Sequence, residues 1–467
     1  MRYVSTRGTA PVLEFEDVLL TGLARDGGLY VPEAWPRLEG HDLRGMRNLP
    51  YAEIATRVMA PFVGGSVTDD EFKALVEETY AGFNHTAVAP LEQLDSGLWV
   101  MELFHGPTLA FKDYSLQLVG RLFDRALTRR HRRMTIIGAT SGDTGSAAIE
   151  ACRDRTSVDV VILHPHGRTT DVQRRQMTTV DSANVHNLAI EGTFDDCQEL
   201  VKAMLNDADF CEEMGLGAVN SINWARIMAQ TVYYVAAAVA LGTPDRRVSF
   251  AVPTGNFGNV FAAYCAHRMG LPVARLVAGS NRNDILYRFF RMGTLSVGPV
   301  YSTLSPSMDI QAPSNFERLL FELHGRDAEL LRSELDRFRA QGELKVSEAA
   351  WHGACELFSG HRADDNETLE TMGEVYRTSG QLIDPHTAVG VTAARAQRGD
   401  PAVEMVALAC AHPAKFPDAV ERATGVRPIL PDHLADLFER RERFTVLPND
   451  VKAVREFVRG NARREAA

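Results

Sequence analysis

The chain has 467 residues, 45% of them hydrophobic and 24% charged, which is enough for two or three globular domains with large buried cores. Its formal net charge of −11 at pH 7, without a basic stripe interleaved with aromatic residues, excludes general nucleic-acid binding. The longest apolar run, Val232 to Leu241, is too short to span a bilayer, so no membrane role is expected.

The six cysteines are scattered, with no CxxC pair and no metal-ligand spacing. Such cysteines are typical of reduced, buried thiols, and no metal site is predicted. The residues from Met1 to Gly8 lack the apolar core of a signal peptide. We therefore expect a cytoplasmic protein.

Residues 1–95 mix short helical patterns with Gly-containing turns and predict a helical N-terminal region. From about residue 101 apolar strands alternate with helical patterns; the predicted strands are Met134–Ile137, Val158–Leu163, Val185–Ile190, Val248–Val252, Val273–Ala278 and Val403–Leu408. Between about 283 and 398 helical patterns dominate. The tail beyond about 430 is predicted to form two helices, the last capped near Asp450.

Apolar strands that alternate with helices indicate parallel sheets covered by helices on both faces. The sequence therefore predicts an α/β fold. We expect three segments: an N-terminal region at 1–95, an α/β region at 96–428 and a helical C-terminal extension at 429–467.

Lys112 stands out because the chain has only six lysines among its 50 Lys and Arg residues. It lies at the end of an apolar turn that begins at Gly106 and Pro107. A partly desolvated amine there has a lowered pKa and suits Schiff-base chemistry. The alternative is a lysine at a helix start with its ammonium group in water, and the local sequence leaves both open.

The loop from Gly138 to Ser146 lies between a predicted strand and an Ala-rich helix. Its hydroxyl groups and glycine-exposed amides suit a carboxylate or a phosphate ester at the N-terminus of the helix. Taken alone, the loop could equally be a capping and turn device.

The run from Asn220 to Arg226 contains two asparagines and one arginine before a long predicted helix. These residues could clamp an oxyanion, with the guanidinium group forked onto it. An Asn-rich turn that only caps the helix is the alternative.

The loop from Pro253 to Asn259 follows a predicted strand and opens a helix. Glycine-exposed amides at a helix N-terminus make a phosphate site, while neither GxxxxGK[ST] nor GxGxxG occurs in the chain. A turn that merely needs positive φ is the alternative. Two such loops at the carboxyl ends of parallel strands favour a ligand site, because open α/β sheets bind ligands there.

Cys410 and His412 come directly after the last predicted strand. They could be a buried structural thiol and a turn residue, and nothing local excludes that reading.

Together these motifs resemble the threonine synthase family, pyridoxal-phosphate (PLP) enzymes of fold type II that are related to threonine dehydratases and the tryptophan synthase β-subunit. The resemblance begins at Tyr3-Val4-Ser5-Thr6-Arg7-Gly8 and continues at Asp26-Gly27-Gly28-Leu29-Tyr30-Val31-Pro32. It ends at His412-Pro413-Ala414-Lys415-Phe416 and is closest to the form with a long N-terminal domain. It implies two parallel-sheet lobes covered by helices in the catalytic region.

The resemblance also implies roles at matching positions. Lys112 matches the catalytic Schiff-base lysine, and Cys410 falls where a small polar residue contacts the pyridine nitrogen. The loop that holds the cofactor phosphate corresponds to Gly255, Asn256, Phe257, Gly258 and Asn259. The loop that faces the substrate and the hydroxyl side of the ring corresponds to Thr140, Ser141, Gly142, Asp143 and Thr144. Asn220 and Arg226 match the block that meets the phosphate of the substrate.

Two positions depart from the expected pattern. The wider fold type commonly has asparagine where Asp143 stands, and an ionised carboxylate there would repel the 3′ oxygen of the cofactor. Either a proton is shared or Asp143 points elsewhere. Threonine or serine is expected at Cys410, and a thiol is a weaker hydrogen-bond partner.

The reaction implied is the conversion of O-phospho-L-homoserine and water to L-threonine and phosphate, the last step of threonine biosynthesis. A threonine or serine dehydratase of the same fold type is the first alternative, although it would need no second oxyanion clamp. A catalytically silent paralogue that binds PLP is the second. We expect a small-molecule substrate, no nucleic-acid or membrane partner, and a monomer or homodimer.

Overall fold

The computed structural model describes residues 1–140, 142–218 and 221–463. They form two compact units, each with its own parallel sheet. The first unit contains residues 1–18, 22–105 and 221–428. The second contains residues 19–21, 106–140, 142–218 and 429–463.

The main sheet of the first unit has six strands, in the order Phe358–Arg362, Val273–Ser280, Val248–Pro253, Glu404–Ala409, Leu98–Glu102 and Leu91–Asp95. All neighbours are parallel except the last pair, which forms an antiparallel hairpin. The inner strands are apolar on both faces because helices cover the sheet on both sides. The carboxyl ends of the parallel strands therefore share one edge.

The helices of the first unit follow the sequence pattern. Pro385–Gln397 packs its alanine- and valine-rich face against the sheet, in a core that includes Val277, Met372 and Ala407. The remaining helices are Phe15–Thr21 (whose last three residues group with the second unit), Gly40–Gly45, Tyr51–Val63, Asp69–Ala81, Trp224–Ala240, Gly258–Arg268, Ile285–Met292, Phe316–Leu323, Ala328–Gln341, Glu348–Leu357, Asp365–Ser379 and Pro417–Thr424, with 3₁₀ turns at Pro306–Met308 and Pro413–Lys415.

The sheet of the second unit has five strands and is parallel throughout. The order is Thr445–Pro448, Val185–Glu191, Val158–Pro165, Met134–Ala139 and Leu216–Ala218. Its helices are Asp113–Arg129, Asp143–Cys152, Asp171–Thr178, Phe194–Leu205, Ala208–Met214 and Val451–Asn461, with a 3₁₀ turn at Asp432–Leu434. Val161, Leu188 and Val454 belong to one buried core, so the C-terminal helix is part of this unit.

The α/β fold with parallel sheets is confirmed, and each strand predicted above is present. Some elements differ from the expectation. The N-terminal region contains, besides its helices, an antiparallel sheet of Leu13–Glu14, Arg2–Ser5 and Tyr30–Pro32. The tail has a 3₁₀ turn and strand Thr445–Pro448 where the first of two helices was expected. A short antiparallel pair, Thr294–Ser296 with Glu343–Lys345, interrupts the helix-dominated stretch.

Within the described ranges, none of the helices combines the length and the hydropathy that a membrane span requires.

Candidate active site

Lys112 lies at the N-cap position of helix Asp113–Arg129, at the end of a tightly bonded turn. The hydroxyl of Thr108 donates to Oδ1 of Asp113 at 2.7 Å, and the Thr108 backbone N–H donates to Oδ2 at 2.8 Å. A Cβ at Gly106 would lie 2.4 Å from the Cβ of Asp113, so this turn closes only on glycine. Lys112 is 8% exposed, so its amine is not at a solvated helix start.

The Nζ of Lys112 faces a carboxylate within its own unit. It lies 3.5 Å from Oδ2 of Asp143 and 4.8 Å from the ring centroid of Phe111. The other carboxylate oxygen, Oδ1 of Asp143, accepts a hydrogen bond from Nε2 of Gln173 at 2.8 Å. In this structure Asp143 is therefore a partner of the lysine amine.

Much of the loop around Thr140 is explained by local structure. The hydroxyl oxygen of Thr140 accepts from the backbone N–H groups of Gly142 and Gly145, both at 3.0 Å, and so caps helix Asp143–Cys152. Gly142 has φ of +149°, and a Cβ there would lie within 2.4–2.7 Å of the side-chain amide of Gln173. Thr144 is half-buried in the first turn. Ser141 lies outside the described residues.

In the first unit, the loop after strand Val248–Pro253 forms a cradle in which the two glycine positions leave little room for a side chain. A Cβ at Gly255 would lie 2.7 Å from the carbonyl oxygen of Ser307, and one at Gly258 would lie 3.1 Å from Nδ2 of Asn315. Phe257 takes φ of +63° at the N-cap of helix Gly258–Arg268, and no side chain of the described residues caps that helix. Its first backbone N–H groups fit a phosphate group.

The side chains of this loop have separate uses. The carbonyl of Asn256 accepts from the backbone N–H of Asn315 at 3.1 Å. The ring of Phe257 is buried against Phe316, with centroids 4.9 Å apart, so only its backbone is available to a ligand.

Asn259, in the first turn of helix Gly258–Arg268, has one satisfied and one unsatisfied end. Its Oδ1 accepts from the hydroxyl groups of Tyr233 and Tyr234, the latter at 2.7 Å. Its Nδ2 is buried and has no partner in the described part of the chain. An unpartnered buried donor costs about 1–3 kcal/mol, which an acceptor oxygen of a ligand would recover.

Arg226 is a buried cation in the first turn of helix Trp224–Ala240 and is 4% exposed. Burial lowers its pKa to about 10, against a smaller raising effect from Tyr233. Among the described residues, its Nε has no hydrogen-bond partner and no acidic side chain pairs with the guanidinium group. Asn223 caps the helix by accepting from the Ala225 N–H at 3.0 Å. Arg226 thus fits an anionic ligand, and Asn220 lies outside the described residues.

Cys410 is buried at the same sheet edge as the glycine loop. Strand Glu404–Ala409 pairs with Val248–Pro253 with Ala407 opposite Ala251, so Cys410 and Thr254 leave neighbouring strands side by side. Burial raises the pKa of the Tyr234 hydroxyl, and the nearby Cys410 adds to that rise.

His412 is a turn residue, which is one of the two roles that its sequence position allowed. Its Nδ1 accepts from the backbone N–H of Ala414 at 3.2 Å at the start of a 3₁₀ turn. Burial lowers its pKa to about 4, helped by His105. Lys415, next in the turn, is fully buried.

Two buried polar residues were not predicted from the sequence. Gln173, which holds Asp143, was placed only within a predicted helix. Asp384, which is fully buried and whose Oδ2 lies 2.6 Å from Nδ1 of His386, was not predicted at all. A helix start at Thr170 with a glutamine three residues later was the available signal for Gln173.

Three family models match successive parts of the chain: "Threonine synthase N terminus" at 2–80, "Pyridoxal-phosphate dependent enzyme" at 82–351 and "Threonine synthase, C-terminal" at 387–458. A threonine synthase of Pseudomonas aeruginosa is 58% identical over 465 residues, covering 99% of both chains. The chain belongs to the threonine synthase family. The resemblance inferred from its motifs is thereby confirmed.

Solved structures agree with this membership. A PLP-bound threonine synthase from Brucella melitensis superposes with a TM-score of 0.98 at 53% identity, over 99% of this chain and 100% of that one. The yeast threonine synthase superposes with a TM-score of 0.94 at 38% identity, over 98% of both chains. The chain therefore shares the fold type II architecture along its whole length.

Proposed function

We propose that the chain is a PLP-dependent lyase that converts O-phospho-L-homoserine and water to L-threonine and phosphate. Family membership supports the reaction, and the observation that favours this substrate most directly is Arg226. A buried guanidinium group without an acidic partner is costly unless an anion completes it. The substrate of a threonine or serine dehydratase carries its α-carboxylate but no phosphate group that could be this anion.

The residues present fit the cofactor. Lys112 would hold it through its buried amine, and its phosphate group would meet the backbone of residues 255–259 and Nδ2 of Asn259. Cys410 would face the pyridine nitrogen. When bound, PLP supplies the electron sink that stabilises negative charge next to the amino group of the substrate.

In this proposal Lys112 is the general base and acid. Its Nζ takes a proton from Cα and then one from Cβ, while phosphate leaves Cγ with the C–O electron pair. One of these two protons returns to Cγ and completes the methyl group. Water then adds its hydroxyl to Cβ and gives its other proton to the departed phosphate, and the second abstracted proton returns to Cα, which balances the reaction. Asp143 holds the amine, while Thr140, Ser141, Gly142, Thr144, Asn220 and Arg226 would bind the substrate.

We further propose that 1–95 is the N-terminal threonine-synthase-type domain, 96–428 the PLP-binding catalytic domain and 429–467 a C-terminal extension. The first two family models meet between residues 80 and 82, ahead of the first boundary, and the C-terminal model spans the second boundary. We propose a cytoplasmic location, which the six free cysteines favour. We also propose that the chain is a monomer or a homodimer.

The test is phosphate release from O-phospho-L-homoserine with threonine quantified in the same tube. Equal amounts of the two products are expected from the wild type, and a loss of about 10³-fold or more from Lys112→Ala. Lys202→Ala is the matched control, because Lys202 is an exposed lysine of the same unit. Release of 2-oxobutyrate would indicate a dehydratase, and no turnover with intact cofactor absorption would indicate a silent paralogue.

A further inference from the structure

Gln173 occupies a buried position in the second unit that the reaction described above does not use. It is 4% exposed and lies in the first turn of helix Asp171–Thr178. Its Nε2 donates to Asp143 at 2.8 Å, and its Oε1 accepts from the hydroxyl of Thr170 at 3.0 Å. Because an ionised carboxylate only accepts, the amide nitrogen must face Asp143, and both ends of the amide are then satisfied.

This amide fixes how the carboxylate of Asp143 is turned. One oxygen of Asp143 is held by Gln173 and the other lies 3.5 Å from Nζ of Lys112. Gly142 leaves the space that the amide fills, since any Cβ there would lie within 2.7 Å of it. A rotation of the carboxylate away from the amine would break the bond to Gln173.

Asp113 is the other carboxylate close in sequence to Lys112, and its geometry separates it from this role. Both of its oxygens accept from Thr108, at 2.7 and 2.8 Å, so it closes the turn. Asp143 is the carboxylate that forms an ion pair with the amine.

The helix that carries Gln173 is anchored to the same turn. Nε2 of Gln176 donates to the backbone carbonyl of Thr108 at 3.1 Å, on the same helix face as Gln173. Glu442 of the C-terminal extension accepts from Arg174 at 2.5 Å and from Thr178 at 2.7 Å. The position of Gln173 relative to Lys112 is thus fixed from both sides within the unit.

We infer that Gln173 is a positioning residue for Lys112, acting through the carboxylate of Asp143. It turns that carboxylate toward the lysine nitrogen, which holds the nitrogen in one direction and favours the protonated state in which Lys112 acts as the acid. The inference rests on the proposed role of Lys112 and adds Gln173 to the residues that position its nitrogen.

The test uses the holoenzyme of Gln173→Met, which keeps the side-chain length but removes both hydrogen bonds. Since a facing carboxylate raises the pKa of a lysine nitrogen, we expect the pH midpoint of the cofactor absorption at about 410–430 nm to fall by about 0.5–1 unit. We expect kcat to fall about tenfold with KM within about twofold, because the amine and not the substrate contacts is disturbed. Gln198→Met, at a half-buried position on another helix of the unit, is the matched control.

Two further variants keep the inference testable if Gln173→Met unfolds. Thr170→Val removes the hydroxyl that orients the amide and should shift the midpoint in the same direction by a smaller amount. In Gln173→Glu the new carboxyl group can donate to Asp143 only when protonated, so its kcat should recover as the pH falls. A merely structural role would produce no such recovery.

An unshifted midpoint with wild-type kcat in folded Gln173→Met, or in folded Thr170→Val, overturns the inference while leaving the proposed function intact. A wild-type holoenzyme without the absorption band, or without turnover, overturns both.

Discussion

The candidate site groups of the two units differ in whether they have hydrogen-bond or ion-pair partners within their own unit. In the second unit the amine site is internally bonded, with Lys112 facing Asp143 and Asp143 held by Gln173. Among the candidate site groups of the first unit, two buried donors, Nε of Arg226 and Nδ2 of Asn259, have no partner in the described part of the chain. We interpret the difference as follows. The reactive amine is positioned by side chains of its own unit before any ligand binds, whereas the donors for an anion form their hydrogen bonds only when the ligand is bound.

A second comparison, within the first unit, concerns two equally buried arginines, Arg226 and Arg318. They differ in their hydrogen bonds and not in their burial. Burial lowers the pKa of both Arg226 and Arg318 to about 10. Arg318, however, donates to the carbonyl oxygens of Tyr30 at 3.1 Å and Ile222 at 2.6 Å, and also to Asn315. We therefore interpret Arg318 as structural and Arg226 as functional.

The largest effect is expected for Arg226→Met. Loss of a guanidinium–phosphate contact should lower kcat/KM for O-phospho-L-homoserine by about 10³-fold. The free energy of unfolding of the ligand-free chain should stay the same or rise, because an uncompensated buried charge is removed. Steady-state kinetics and urea unfolding measure both quantities.

Arg318→Met is the matched control for that variant. It leaves the buried oxygens that accept from this arginine without a donor and should cost about 1–3 kcal/mol of stability for each of them. Equal destabilisation by the two variants, with kcat/KM unchanged in Arg226→Met, would contradict the distinction between the two arginines.

Asn259→Asp sharpens the comparison at the other unpartnered donor. The variant keeps the oxygen that accepts from Tyr234 but replaces the donor by a second acceptor that repels a phosphate group. PLP affinity should fall about 100-fold, measured by fluorescence titration of the cofactor-free chain. Asn366→Asp, at an exposed position of the same unit, should leave affinity unchanged. An unchanged dissociation constant in Asn259→Asp would remove Asn259 from the phosphate site.

The pH dependence of stability tests the interior of the first unit. The pKa of His412 is about 4 in the folded chain, below the value of about 6.5 in an unfolded chain. Protonation of His412 therefore favours the unfolded chain. The contribution of neutral His412 to the free energy of unfolding is fully present above about pH 6.5, and about 2–3 kcal/mol of it is lost as the pH falls toward 4. His412→Asn, which keeps an acceptor for the Ala414 N–H, should flatten that part of a stability–pH curve. If the stability–pH curve of His412→Asn kept the wild-type slope, groups other than His412 would be responsible for the loss of stability at low pH.

The smallest effect is expected at Cys410. Because a hydroxyl is a stronger hydrogen-bond partner than a thiol, Cys410→Ser should raise kcat by no more than about threefold. Cys410→Ala should lower it by about five- to tenfold for the same reason, measured under saturating substrate. Equal kcat in the two variants would mean that no hydrogen bond is made at this position.

The buried parallel strands could be predicted from sequence because they are covered on both faces and therefore mostly apolar, as the run Val160–Leu163 within the fully buried strand Val158–Pro165 illustrates. Strand Thr445–Pro448 could not, since it is an exposed four-residue edge that exists only by pairing with Val185–Glu191. The short N-terminal strands could not be predicted for the same reason, because they pair with residues distant in sequence and their local sequence patterns are weak.

The candidate site divides in a similar way. Residue types at the loops, such as Gly142 and Gly255, follow from turn chemistry and could be predicted. Their packing partners could not, because Gln173 and Ser307 come from distant parts of the chain and carry no local signal of that contact. The turn at Thr108 similarly depends on Asp113, whose role becomes visible only when both of its oxygens are seen to be bonded.

The most direct test of the central claim is to reduce the holoenzyme with borohydride and locate the cofactor by peptide mass spectrometry. Our account predicts the cofactor mass on Lys112, whose buried amine faces Asp143. Its appearance on another lysine, above all the fully buried Lys415, would contradict it.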